Sequence, residues 1–127
     1  MNNLTPCHKL WLERDGRIVM SDYRVRLLEL VAETGSLAQA AQAMGLSYRR
    51  AWGKVKELEQ NLGLPLVASE VGGAGGGHTT LTPDAREFVA AYRRFQQRVA
   101  KAAEDAFEAE LAPLGSPASK AETGRGA

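Results

Sequence analysis

Hydrophobic positions change their period several times along the chain, and each change marks an element. From Lys9 to Met20 they follow a strand pattern. Leu10, Leu12 and Val19 can share one face of a hairpin and Trp11, Ile18 and Met20 the other, with Asp15-Gly16 as a two-residue type I′ turn. Ser21-Asp22 then offers an N-cap, and Leu27, Leu28, Leu30 and Val31 follow at mostly helical spacing, predicting a helix over 22–34. Gly35 can take the left-handed conformation that closes a helix, and Ser36 caps the next. Leu37, Ala40, Ala41 and Met44 form an i, i+3, i+4, i+7 stripe whose alanines permit close approach, giving a short helix over 36–44. The glycine-containing link Gly45-Leu46-Ser47 is of the kind that joins the two helices of a helix-turn-helix. A third helix is expected over 47–62. Its inner stripe reads Tyr48, Ala51, Trp52, Val55, Leu58 and Leu62, which leaves Arg49, Arg50, Gly53, Lys54 and Glu57 largely outside.

Beyond Gly63 and Pro65 the pattern returns to strands at 66–71 and 78–82, joined by five glycines around Ala74. This is the signature of a wing over 66–82. Thr82 and Pro83 suit the start of a last helix, expected over 83–112. Along it Phe88, Tyr92, Phe95, Val99, Ala102 and Ala106 repeat at alternating spacings of four and three, a coiled-coil-like seam at which two copies can pair. From Pro113 to Ala127 the chain is too poor in large apolar groups to offset ordering entropy, so 113–127 is expected to be a disordered tail. The fold class is therefore mainly α with small β: a winged helix-turn-helix over 1–82, with an N-terminal β-hairpin at 9–20 and a long C-terminal dimerisation helix.

Composition narrows the function classes. With 127 residues, 44% hydrophobic and 24% charged, the chain has room for one globular domain and a tail, which excludes most multi-domain enzymes. No apolar run approaches the roughly 20 residues that span a bilayer, and Met1 to Leu12 carries no export signal, so a cytoplasmic protein with no membrane partner is expected. The single cysteine, Cys7, cannot form an internal disulfide, and one cysteine with two distant histidines makes no metal site. No nucleophile and base pair or phosphate loop is evident either, so neither an enzyme nor a resident cofactor is expected.

The formal net charge of +1 does not by itself suggest a polyanion, but its placement does. Between Ser47 and Lys56 stand Arg49, Arg50, Lys54 and Lys56 with no acidic residue, and Glu57 follows at once. Positive charge is thus focused on the first turns of one helix, where a groove-reading element carries it. Arg49 and Arg50 are placed to reach base edges, and an arginine fork matches guanine O6 and N7. Ser36, Ser47, Lys54 and Lys56 suit phosphate contacts, which fix register without reading sequence. Tyr48 is open between core packing and a phosphate contact, whereas Trp52 is expected in the core. The glycine run, with Gly75 and Gly76 near its tip, reads either as a flexible hairpin end or as a bare backbone that approaches DNA, with His78 and Thr79 adding side-chain contacts.

The stretches Gly35-Ser36-Leu37-Ala38-Gln39-Ala40-Ala41 and Gly45-Leu46-Ser47-Tyr48-Arg49-Arg50-Ala51-Trp52, then Gly72 to Gly77 followed by Leu81-Thr82, resemble the N-terminal DNA-binding domain of ModE-type molybdate-responsive regulators. Gly63 to Leu66 is similar, more loosely, to LysR-type regulators. The resemblance covers about residues 9–95 and implies DNA contacts from Ser47, Tyr48, Arg49, Arg50 and the wing, with Gln39 of the resembling stretch beside them. It also implies a homodimer on a palindromic double-stranded operator; the repeat along the last helix puts Phe88, Tyr92, Phe95, Val99 and Ala102 at the interface. Full-length members continue into a molybdate-binding domain, and here a low-complexity tail stands where that domain would start. Molybdate is accordingly expected to act, if at all, as an indirect effector. A different class of function, a winged-helix protein-interaction module without a DNA target of its own, is the alternative.

Overall fold

The computed structural model describes residues 3–70 and 78–114. Strands β1 (Trp11–Arg14) and β2 (Arg17–Ser21) form an antiparallel hairpin. Asp15 and Gly16 at its turn have φ of 53° and 78°, the two positive values a type I′ turn needs. The ladder pairs Leu12 with Met20 but Glu13 with Ile18, so Val19 is the extra residue of a bulge. Consecutive residues Val19 and Met20 are consequently both buried. That corrects the expected alternation, which set them on opposite faces. Trp11 stays exposed, its indole N–H donating to Glu13 Oε2 at 2.7 Å.

Helices α1 (Asp22–Thr34), α2 (Leu37–Ala43) and α3 (Tyr48–Leu62) follow in the expected order. Serine caps begin each: Ser21, Ser36 and Ser47 accept the backbone N–H of Arg24, Gln39 and Arg50, respectively. Gly35 and Gly63, left-handed, close α1 and α3. The core gathers Val25, Leu27, Leu28 and Val31 of α1, Leu37, Ala40 and Ala41 of α2, and Ala51, Val55, Leu58 and Leu62 of α3. The hairpin closes one end of this stack. Arg14 Nη1 donates to the last carbonyls of α3, Asn61 O at 3.2 Å and Leu62 O at 2.9 Å, and Asn61 Nδ2 returns a bond to Ile18 O at 2.9 Å. A cation at the negative end of a helix is also favoured by the helix dipole.

Strands β3 (Val67–Glu70) and β4 (His78–Leu81) pair antiparallel from Val67↔Leu81 to Glu70↔His78. They are the base of the wing. Leu66 and Leu81, buried, tie it to the helical core. Helix α4 (Pro83–Glu110) starts at Thr82, whose Oγ1 accepts the Ala85 N–H at 3.1 Å, and a 3₁₀ turn, Ala112–Leu114, follows it. Of the described residues, those within 10–93 form one compact unit, and 3–9 with 94–114 form a second.

Within the first unit, Ala85, Val89 and Tyr92 of α4 are buried, at i, i+4 and i+7. The Tyr92 hydroxyl donates to Leu10 O at 3.0 Å. Tyr92 is therefore spent inside its own protomer, which corrects its expected place in a seam between two copies. Arg93 locks α4 to α1: its guanidinium meets Glu29 at 2.8 and 2.6 Å and Asp22 at 2.9 Å. The Arg93 hydrogen bonds hold the Glu29 carboxyl below its usual pKa against the opposing effect of burial. In the second unit, Val99, Ala103 and Phe107 are partly covered while Phe95 and Ala102 are exposed, and Lys101 pairs with Asp105 one turn on.

Candidate nucleic-acid interface

The link between α2 and α3 sets the recognition geometry. Gly45 takes a φ of 69°, and the Leu46 N–H folds back to Ala41 O at 2.9 Å while the Leu46 side chain packs against the core. This turn delivers Ser47 and the start of α3 to the surface. Because the Ser47 hydroxyl oxygen already accepts the Arg50 N–H, the amides of Tyr48 and Arg49 are among those that this helix start leaves without an intrahelical partner. Ser36 does the same for Gln39 on α2. Both hydroxyls keep their own proton to donate to a phosphate, and Gln39 presents an exposed side chain beside Ser36.

Arg49 and Arg50 are both exposed, and neither guanidinium makes a hydrogen bond or ion pair with a described residue. Tyr48 stands 56% exposed, which settles its open reading in favour of the surface. The two lysines are differently engaged. Lys54 lies with its ammonium 5.3 Å from the Tyr23 ring centroid of α1. Lys56 sits 4.3 Å from the Trp52 ring and 3.1 Å from Glu59 Oε1, so the charge expected to meet a phosphate is already shared within α3.

Trp52 is the main departure from the expected stripe. It is 36% exposed rather than buried, because it occupies the shoulder of α3 and the buried line runs through Ala51, Val55, Leu58 and Leu62.

The wing base is fastened on both strands. Glu59 accepts the N–H groups of Leu66, at 2.7 Å, and Val67, at 3.3 Å, which holds the start of β3 against α3. Burial pushes the Glu59 carboxyl up, but these amides and Lys56 outweigh it and hold the group below its usual value of 4.5. On the other strand, the Thr79 N–H donates to Gly35 O at 3.0 Å, and the His78 imidazole lies so close to Gly35 that a Cβ there would stand 2.7 Å from its Cε1. His78 and Thr79 are thereby brought beside Ser36 at the turn between α1 and α2. The expected wing contacts Gly75 and Gly76 lie outside the described residues. Nothing in the sequence around Glu59 signalled its role, since its partners are backbone amides seven and eight residues on.

Glu59→Ala is expected to cost about 1–3 kcal/mol at neutral pH, since it leaves the Leu66 and Val67 amides without their charged acceptor. A carboxyl whose folded pKa is depressed contributes stability above its unfolded pKa and loses it as pH falls through the folded one. The difference between wild type and Glu59→Ala should therefore be full above pH 5 and shrink steadily below about pH 4.5. Urea denaturation at a series of pH values measures it; a pH-independent gap would remove Glu59 from this role.

A three-helix stack with a capped, cation-bearing third helix and a two-stranded wing is the arrangement that the comparisons with known proteins also find. The model of the family described as bacterial regulatory helix-turn-helix protein, lysR family, matches residues 23–86. The chain belongs to this lysR helix-turn-helix family. Among curated relatives, this lysR-type chain is 40% identical over 90 residues to the molybdenum-pterin-binding protein MopB of Rhodobacter capsulatus, covering 71% of this chain and 33% of that protein. It is 31% identical over 107 residues to the DNA-binding transcriptional dual regulator ModE of Escherichia coli K12, covering 84% of this chain and 41% of that one. The chain thus spans between a third and two fifths of the length of these relatives. The fold is also that of the solved DNA-binding domain of CbnR in its DNA complex, with a TM-score of 0.54 at 23% identity, covering 71% of this chain and 98% of that one. The segment that the family model matches runs from Tyr23 of α1 through α2, α3, β3 and β4 into the start of α4. No described helix is long and apolar enough to cross a membrane.

Proposed function

We propose that this protein is a cytoplasmic, sequence-specific regulator of transcription that binds a palindromic double-stranded operator as a homodimer, with genes of molybdate uptake or molybdenum use as its targets. The observation that carries the reading is the pair Arg49 and Arg50, exposed and uncommitted on the first turn of a serine-capped helix that follows a tight helix-turn-helix link. Such a helix end enters the major groove, and its cations have base edges and phosphates as their natural partners. Ser47, Tyr48 and Lys54 belong to the cap and first turns of the same helix, Ser36 and Gln39 to the start of α2, and His78 and Thr79 to the wing. The names of the relatives supply the molybdenum connection. Phe88, Phe95, Val99 and Ala102 of α4 are the residues assigned to pairing between copies. Molybdate enters as an indirect effector and no resident cofactor is assigned.

Selection of genomic fragments by the purified protein, with and without molybdate, tests this directly. Two-fold symmetric sites should be enriched, and the logarithm of the binding constant should fall linearly with the logarithm of salt concentration. Absence of enrichment at moderate salt, together with co-purification of a stable protein partner, would overturn it.

A further inference from the structure

We infer that Gly53 is a base-reading position: the side-chain-free notch it leaves on the outer ridge of α3 receives the 5-methyl group of a thymine. This rests on the DNA-binding reading above and adds what that surface recognises.

The argument starts from a glycine the fold does not need. Gly16, Gly35, Gly45 and Gly63 all have positive φ and each closes a turn or a helix. Gly53 lies in the middle of α3 with ordinary helical backbone, where glycine is the least favourable residue after proline. A methyl group built on it would meet no described atom within 4 Å apart from its chain neighbours and the helix's own adjacent backbone, so no packing contact from another element demands its absence. Alanine would suit the helix better. A bare Cα at this exposed position leaves room for something outside the chain to approach the helix closely.

Position and chemistry identify the visitor. Arg49, Gly53, Lys56 and Gln60 lie at i, i+4, i+7 and i+11, all exposed, on the ridge opposite the buried line of Ala51, Val55, Leu58 and Leu62. Gly53 is thus one turn beyond Arg49, on the side that would face a duplex. At mid-helix its N–H and C=O are bonded within the helix, so the notch offers no donor or acceptor. Its occupant is therefore apolar. On the floor of the major groove the apolar group is the thymine methyl. Trp52, the preceding residue, adds an exposed apolar ring on the shoulder of the same helix, with the Lys56 ammonium 4.3 Å from its centroid and 3.1 Å from Glu59 Oε1.

The test is a size-matched swap at one contact. Selection first supplies an operator; if none emerges, the DNA-binding reading fails and this inference falls with it. Each operator thymine is then replaced singly by deoxyuridine, which removes only the methyl, and binding of wild type and Gly53→Ala is measured by anisotropy, with thermal melting of both proteins. At one thymine per half-site, within a base pair or two of a guanine, loss of the methyl should weaken wild type about fourfold, the worth of one buried methylene-sized group. Gly53→Ala should melt higher than wild type, bind the intact operator at least about tenfold more weakly, and prefer deoxyuridine over thymine at that same position, because its new methyl fills the space the base has vacated. Three results would overturn the inference: no thymine whose replacement weakens wild type by about twofold or more; an equal loss for Gly53→Ala on both operators; or a lower melting temperature for Gly53→Ala.

Discussion

Arg49→Ala combined with Arg50→Ala is expected to bring affinity for the selected operator close to that for random DNA of the same length, while thermal melting stays where it was. Each bidentate contact to guanine that is lost should remove about 1–3 kcal/mol of discrimination, so the double variant loses most of the preference that direct readout provides. The folded state should not register the change, because neither guanidinium bonds a described residue. Lys54→Ala is the companion variant: it should weaken all sequences alike and lower the salt slope by about one. Competition binding against operator and scrambled duplexes separates the two patterns. If the double variant kept its full preference, the face of α3 opposite the core would not be the reading surface.

Leu58→Ala should have the largest effect on the fold. Leu58 is completely inaccessible and lies on the inner line of α3 between Val55 and Leu62, against the other helices of the stack. Truncation leaves a cavity that the surroundings fill only in part, and such changes cost about 2–5 kcal/mol. Small domains have about 5–15 kcal/mol in all, so this is a large share. Lys101→Ala, at an exposed i, i+4 pair, is the control and should stay within about 0.5 kcal/mol. Urea denaturation followed by circular dichroism measures both. A loss below about 1 kcal/mol at Leu58 would mean that the stack is looser than its burial indicates.

What could be read from the residues was mostly local chemistry. Asp15-Gly16, the serines at 21, 36 and 47, and the glycines at 35 and 45 each specify a backbone state by themselves, and each stands where expected. Shoulder positions were harder. Helical spacing places Trp52 and Tyr92 equally well on an inner face, but burial depends on what packs over that face. Nothing described covers the Trp52 ring fully, whereas the Leu10 carbonyl waits for the Tyr92 hydroxyl. A repeat of fours and threes along α4 fits a seam between copies and a core-facing stripe alike, and Ala85, Val89 and Tyr92 answered to the core. The bulge at Val19 and the clasp of Arg93 on Glu29 and Asp22 had no signal at all. Both arise between segments that only the folded chain brings together.

The bonds from Arg14 to the carbonyl end of α3, with the reciprocal bond from Asn61, have a mechanical meaning. A rod gripped at its rear can neither slide lengthwise nor spin without tearing those links. The angular setting of the arginine-bearing tip is therefore determined during folding, long before any encounter with a duplex. Loosening the rear grip, as Arg14→Ala would do, should blur the aim of side chains at the opposite tip that it never touches.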